Sequence, residues 1–317
     1  MTSPRRDINA TVGSAALSVA VVVTVVLLVS LLVHARSTGH DSVRGLGTSS
    51  SSAPATKSTP APTPTPTSSA PSTQATTTDA TDNSLSDLIG DAPSGGVSVS
   101  AVNLATGKHL SAGATHGMLE ASVSKIALLE ILLLERQDAG KLLTPNEDAQ
   151  LTQMIEHSSN EAADEVFELA GGHATVVAEQ RPLGLDTSIT IYGPGNLWGL
   201  TTSSAAQQIV LLRNLVDDDS PLNDASREYA LGLLKHVESD QRWGAPVAAD
   251  KNSTYYVKNG WLAVDDDHDL WAVNTDGIIT VGGHQVLISV MTQHGKTFSG
   301  GIAYVEKLVK ALVAEVT

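Results

Sequence analysis

Ser122-Val123-Ser124-Lys125, with the apolar run IALLEILLLERQ that follows it up to Gly140, is the stretch on which the fold of this chain turns. It is the only Ser-x-x-Lys in 317 residues. The run has helical hydrophobic content and stops at a glycine breaker. Three residues apart on a first helical turn, Ser122 and Lys125 share one face. An amine so placed can reach a hydroxyl and take its proton, which covalent serine catalysis requires. A helix N-terminus adds free N–H groups and a positive dipole end where negative charge would develop. The bland alternative is a helix-capping serine followed by a surface lysine.

Two further stretches stand in register with the first. His157-Ser158-Ser159-Asn160 lies between two helical patterns, PNEDAQLTQMIEH and EAADEVFELA. The first of these begins at Thr144-Pro145, a cap followed by a favoured first-turn proline. Tyr255 to Leu262 (YYVKNGWL) reads as a strand of aromatic and β-branched residues that carries Lys258 and Gly260. Taken alone, Ser158, Ser159 and Asn160 are ordinary capping residues, and Lys258 is a lysine on a strand edge.

The ordered set Ser-x-x-Lys, Ser-x-Asn, Lys-x-Gly resembles the serine β-lactamase and penicillin-binding protein family, whose signature is S-x-x-K, S-D-N and K-T-G. The likeness runs over about Ser84 to Thr317 and is nearest to class A β-lactamases and related serine hydrolases. It implies that Ser122 is the nucleophile and Lys125 the activating amine. Ser158 is then the relay to the leaving nitrogen, and Asn160 either binds a substrate carbonyl or orients Lys125. Lys258, Asn259 and Gly260 would hold the substrate carboxylate and allow close backbone approach. The backbone N–H groups of Ser122 and Trp261 would form the oxyanion hole. Asn259 stands where the family has Thr or Ser. A second departure is larger. Class A enzymes carry a loop Glu that activates the deacylating water, and the corresponding loop here, Gly184 to Gly199, holds none. Asp186 sits too near the loop's start to replace it.

The pattern of elements agrees with an α+β fold. Val97 to Val102 alternates as a strand, and Thr106-Gly107 turns it into a second one from Lys108. A helical middle follows to about Val237, with cap signals at Thr202-Ser203 and Asn223-Asp224. Strands return at 255–262, 270–274, 277–281 and 286–293, with a turn at Gly282-Gly283-His284, and a helix over 301–316 closes the sequence. Short helical content over 83–92 precedes the first strand. Strands, helices, strands and a helix in that order imply one antiparallel sheet with a helical insertion over about 122–249. The resemblance adds that the sheet has five strands flanked by terminal helices.

The remainder of the chain reads as a tether. Residues 1–11 form a short tail expected on the cytoplasmic side. Val12 to Val33 carries no charge and spans about 33 Å as a helix, so 12–34 is expected to be a membrane anchor, with a cleaved signal as the alternative. Residues 35–83 are mostly Ser, Thr, Pro and Ala, a composition that buries no core and gives a linker about 40 Å in mean reach. The domain would then be extracytoplasmic, near a cell wall. Positions 1–83 hold five Lys/Arg and four Asp/Glu, which leaves 14 against 30 in the domain, a net −16. Such a surface argues against nucleic acid as a partner. With no cysteine, disulfides and thiol catalysis are excluded.

Other residues are less telling. Ten scattered histidines lack metal-ligand spacing, and 265–269 (DDDHD) reads as a solvated turn, so no metal or cofactor is expected. Lys296-Thr297 is a poorer match to the third motif. Arg242 offers a guanidinium to a carboxylate or holds structure. The four tryptophans suit cleft or core. The functional expectation is a monomeric acyl-serine hydrolase acting on β-lactams or D-alanyl cell-wall peptides, slow to release its product. The rival is a non-catalytic or acylation-only cell-wall binding domain.

Overall fold

The computed structural model describes residues 89–90, 92, 96–185, 197–264 and 267–317. The tail 1–11, the anchor 12–34, the linker 35–83, nearly all of the helix expected over 83–92 and most of the 184–199 loop lie outside the described residues. Among the described residues no helix is long and apolar enough to cross a membrane.

The elements run β1 (Val97–Asn103), β2 (His109–Gly113), β3 (Met118–Leu119), a 3₁₀ turn (Ala121–Ser124), α1 (Lys125–Asp138), α2 (Pro145–Glu156), α3 (Asn160–Leu169), α4 (Gly172–Glu179), β4 (Thr202–Ser203), α5 (Ala205–Asn214), α6 (Asp224–Lys235), β5 (Tyr256–Val264), β6 (Leu270–Val281), β7 (His284–Gly295) and α7 (Phe298–Val316). Five of the strands form one antiparallel sheet in the order β2-β1-β7-β6-β5. This is the α+β fold that the motifs imply.

Local chemistry explains the boundaries. Thr144 and Glu147 close a full capping box around Pro145 at the start of α2. Asn223 caps α6, and Thr297 caps α7, which accounts for the Lys296-Thr297 pair. Thr202-Ser203, expected as a cap, is instead the short strand that pairs with Met118–Leu119; the cap is Ser204. The strands expected at 270–274 and 277–281 are one unbroken β6, because Thr275 and Asp276 stay in register through the apparent gap. Gly282 and Gly283 both take positive φ in the tight β6–β7 turn.

The two faces of the sheet differ in chemistry. Val97, Val99, Ala101, Val257, Val273, Ile279, Val286, Ile288 and Val290 form an apolar face under α7, packed with Val305, Leu308, Val309 and Leu312. Intervening residues face the helical half, and there the row is polar: Ser98, Ser100, Asn274, Asp276, Lys258 and Ser289 are all buried. A second core, built on Ile126, Leu129, Leu132, Met154, Phe167 and Leu212, fills the helical half. The polar face of the sheet meets that half at the Ser-x-x-Lys turn.

Candidate active site

The turn that carries Ser122 is held from several sides. Glu120 N donates to Thr201 O at 2.9 Å, and Asn274 Nδ2 on β6 donates to both Leu119 O (2.8 Å) and Glu120 O (2.9 Å). Ala121 then takes a left-handed φ of 49°, and Ser124 Oγ closes the turn on Ala121 O at 2.7 Å. Ser122 is thus the second residue of a 3₁₀ turn, half-buried and free of any capping duty, and α1 begins only at Lys125.

Strand β5 presses against this turn. A Cβ on Gly260 would lie 2.7 Å from Ser122 N, 2.8 Å from Glu120 O and 2.8 Å from Val123 N. Glycine is required there for space. Through this contact the backbone of Gly260 lies against the Ser122 turn.

Ser158 has a left-handed φ of 56°, which holds its carbonyl and hydroxyl toward the two lysines. Non-glycine residues pay roughly 1–3 kcal/mol for such backbone, and two of the six among the described residues, Ala121 and Ser158, lie at the motifs. Lys125 Nζ donates to Ser158 O (2.6 Å), Ser158 Oγ (3.1 Å) and Asn160 Oδ1 (3.0 Å). Lys258 Nζ reaches the same Ser158 Oγ at 2.9 Å and Asn259 O at 3.1 Å. One hydroxyl therefore bridges two amines, brought together from α1, the α2–α3 loop and β5. Of the two roles open to Asn160, orienting Lys125 is the one its amide oxygen performs here.

Both amines are fully buried. Burial, and then the charge of Lys258, pull Lys125 down to about 6, against Glu161 and Asp164. Burial lowers Lys258 to about 7, opposed by Asp276. Trp198 covers Lys125 with its ring centroid 4.8 Å from Nζ, and its indole N–H is fixed on Asp164 Oδ1 at 2.7 Å. Behind the turn, burial raises the Glu120 carboxyl to about 7 even though Ser203 and Gln208 bond to it.

Asn259 is placed otherwise than expected for a carboxylate ligand. Its side chain is fully buried on the far face of the sheet, donating to Gln241 O (2.7 Å) and Trp243 O (3.0 Å). Alternation along β5 dictates this: with Lys258 and Gly260 on the face toward the Ser122 turn, the residue between them faces away. The Trp261 ring also points away and packs with Trp243 and Phe298, leaving only its backbone for the site. Arg242 is exposed, with its Nε on Val237 O at 2.6 Å. Sequence reasoning missed Glu120, Asn274 and Asp276. A polar residue in an otherwise apolar strand was the available signal for the last two.

A sheet with a helical insertion, and a serine and two buried lysines at their junction, define a class of serine hydrolase fold. Residues 148–316 match the model of the family described as Beta-lactamase enzyme family. The chain belongs to that family. Its fold is similar to that of PBP-A (TM-score 0.63, 17% identity, covering 73% of this chain and 94% of that one) and of a β-lactamase from Chitinophaga pinensis (TM-score 0.61, 20% identity, 73% and 98%). Protein LppW of Mycobacterium tuberculosis, which its name classes with the lipoproteins, is 29% identical over 172 residues, 52% of this chain and 54% of LppW. The chain thus spans about half the length of the curated relatives it matches.

Proposed function

We propose that this chain is an acyl-serine hydrolase that takes β-lactams or D-alanyl cell-wall peptides, held outside the membrane by residues 12–34 and the 35–83 linker. The observation that carries the reading is the bridge of Ser158 Oγ between Lys125 and Lys258. With Lys125 neutral, its amine turns from the loop to take the proton of Ser122 Oγ, and the oxygen attacks the substrate carbonyl. The oxyanion develops beside the N–H groups of Ser122 and Trp261. As the C–N bond breaks, the Ser158 hydroxyl gives its proton to the departing nitrogen and recovers one from the lysine pair. Lys258, as a cation, draws the substrate carboxylate.

Release is expected to be slow. The 184–199 loop has no Glu, and the carboxylates nearest Lys125 are otherwise engaged: Asp164 holds Trp198, and Glu161 accepts Ser159 Oγ at 3.0 Å. A missing general base costs roughly 10² to 10⁴-fold, so acyl-enzyme accumulates. The same observation supports a second reading, an acylation-only wall sensor. Intact-mass measurement after incubation with a penicillin tests both. A stable one-equivalent adduct on Ser122 supports the proposal, and persistence after hours identifies the sensor. No adduct, or equal labelling of Ser122→Ala, sinks the assignment.

A further inference from the structure

The polar face of the sheet contains a row that the mechanism above leaves unused. Lys258 on β5 stands directly opposite Asp276 on β6, Asp276 opposite Ser289 on β7, and Ser289 opposite Ser100 on β1. Direct cross-strand partners project from the same face. All four residues are fully buried. No hydrogen bond of ordinary geometry meets either carboxylate oxygen of Asp276 among the described residues, and the facing hydroxyl of Ser289 is near enough to favour its ionised form. A buried carboxyl in that condition is costly unless a positive charge answers it.

The charged groups around the row are few. Lys258 faces Asp276 from β5, and Glu120 faces it from the segment before the nucleophile turn. Gln208 on α5 bonds to Glu120, while β7 and β1 supply neutral hydroxyls. Lys125 of α1 is the other cation, and it faces Lys258 together with Glu161 and Asp164 of α3. Lys258 therefore has a second amine on its substrate side and a carboxyl on its strand side. Its amine donates to Ser158 Oγ and Asn259 O, so the attraction to Asp276 acts across the inter-strand gap.

We propose that Asp276 is a positioning residue that keeps Lys258 cationic beside Lys125, so that the lysine can serve Ser158 and attract an anionic substrate. The electrostatics run in that direction. Burial favours a neutral Lys258, and Asp276 is the group that opposes it. Burial, and after it Glu120, favour a protonated Asp276, while Ser289 and then Lys258 oppose that. The two titrate as one coupled pair. The catalytic consequence rests on the acyl-serine reading, whereas the charge linkage does not.

The test is a pH titration by NMR of the full chain carrying ¹³C at lysine Cε and aspartate Cγ, with the Lys258 signal assigned by its loss in Lys258→Arg. In the wild type both resonances should follow shared, two-step curves. In Asp276→Asn the Lys258 midpoint should fall by about one pH unit or more, the usual effect of losing an opposite charge at close range. The alkaline limb of Ser122 acylation should fall with it. An unchanged Lys258 midpoint in Asp276→Asn overturns the proposal. If that variant does not fold, the wild-type curves decide, because independent single-step titrations overturn it equally. Absence of acylation in the wild type refutes the proposed function and leaves the linkage to the NMR result.

Discussion

Gly260→Ala puts the contact between β5 and the nucleophile turn under direct strain. The added methyl would sit at 2.7–2.8 Å from Ser122 N, Glu120 O and Val123 N, where carbon contacts are optimal near 3.5–4.0 Å. Relief therefore requires about 0.7 Å or more of movement. All three atoms are backbone, so no side chain can swing aside. Nor can the turn yield freely, since Asn274 bonds the carbonyls on its approach and the α1 core lies beneath it. Overpacking of this kind costs typically about 1–3 kcal/mol, or about 2–12 °C in Tm for a domain of this size. The larger effect falls on chemistry, because the displaced atoms are the Ser122 N–H and its neighbours. A misplacement near 1 Å costs roughly 10²-fold in rate. Thermal unfolding and time-resolved intact-mass acylation measure both. Acylation within threefold of wild type would refute the idea that this contact sets the oxyanion geometry.

Ser158→Gly should relieve the left-handed backbone at this position and keep or raise stability, yet slow acylation about 10² to 10⁴-fold by removing the bridging hydroxyl; equal rates would exclude the relay. The acylation rate should be bell-shaped in pH: it rises through about 6 as Lys125 becomes neutral and falls above about 7 as Lys258 loses its charge, measurable by stopped flow. For Glu120 the folded pKa lies above the unfolded one, so its stabilising contribution is complete below pH 4.5 and lost between 4.5 and about 7. Glu120→Gln should therefore gain on the wild type as pH rises through that window, by about 3 kcal/mol at 1.36 kcal/mol per unit. Urea unfolding at pH 4.5 and 8 checks it; a constant difference would contradict the burial argument.

Much of this molecule was legible in the chain because its signals are local. The capping box at Thr144, the Gly282-Gly283 turn and the alternation of β1 depend on neighbours a few residues apart. The three motifs were legible by their order, and Lys125, Ser158 and Lys258 do meet. What escaped was whatever depends on contacts between distant segments. Asp276 looked like a break between two strands, because polarity usually marks a strand's end. It is instead an interior residue of β6 facing the site. Asn259 looked like a ligand by its place in the motif, and only alternation along β5 sends it to the other face. Trp198 offered no hint of its position over Lys125, since nothing near it in sequence reports a contact across the helical half.

The two hydrogen bonds from Asn274 to the carbonyls of Leu119 and Glu120 join residues more than 150 positions apart. Contacts of that sequence separation are paid for in loop-closure entropy before they return anything, and they form late and slowly. The helical insertion can gather its own core from local pairs, but the nucleophile turn takes its shape only once β5 and β6 have closed against it. Under the proposed function, reactivity at Ser122 is therefore a clock for the last step of folding. A covalent probe added during refolding would read the moment at which the two ends of the domain meet.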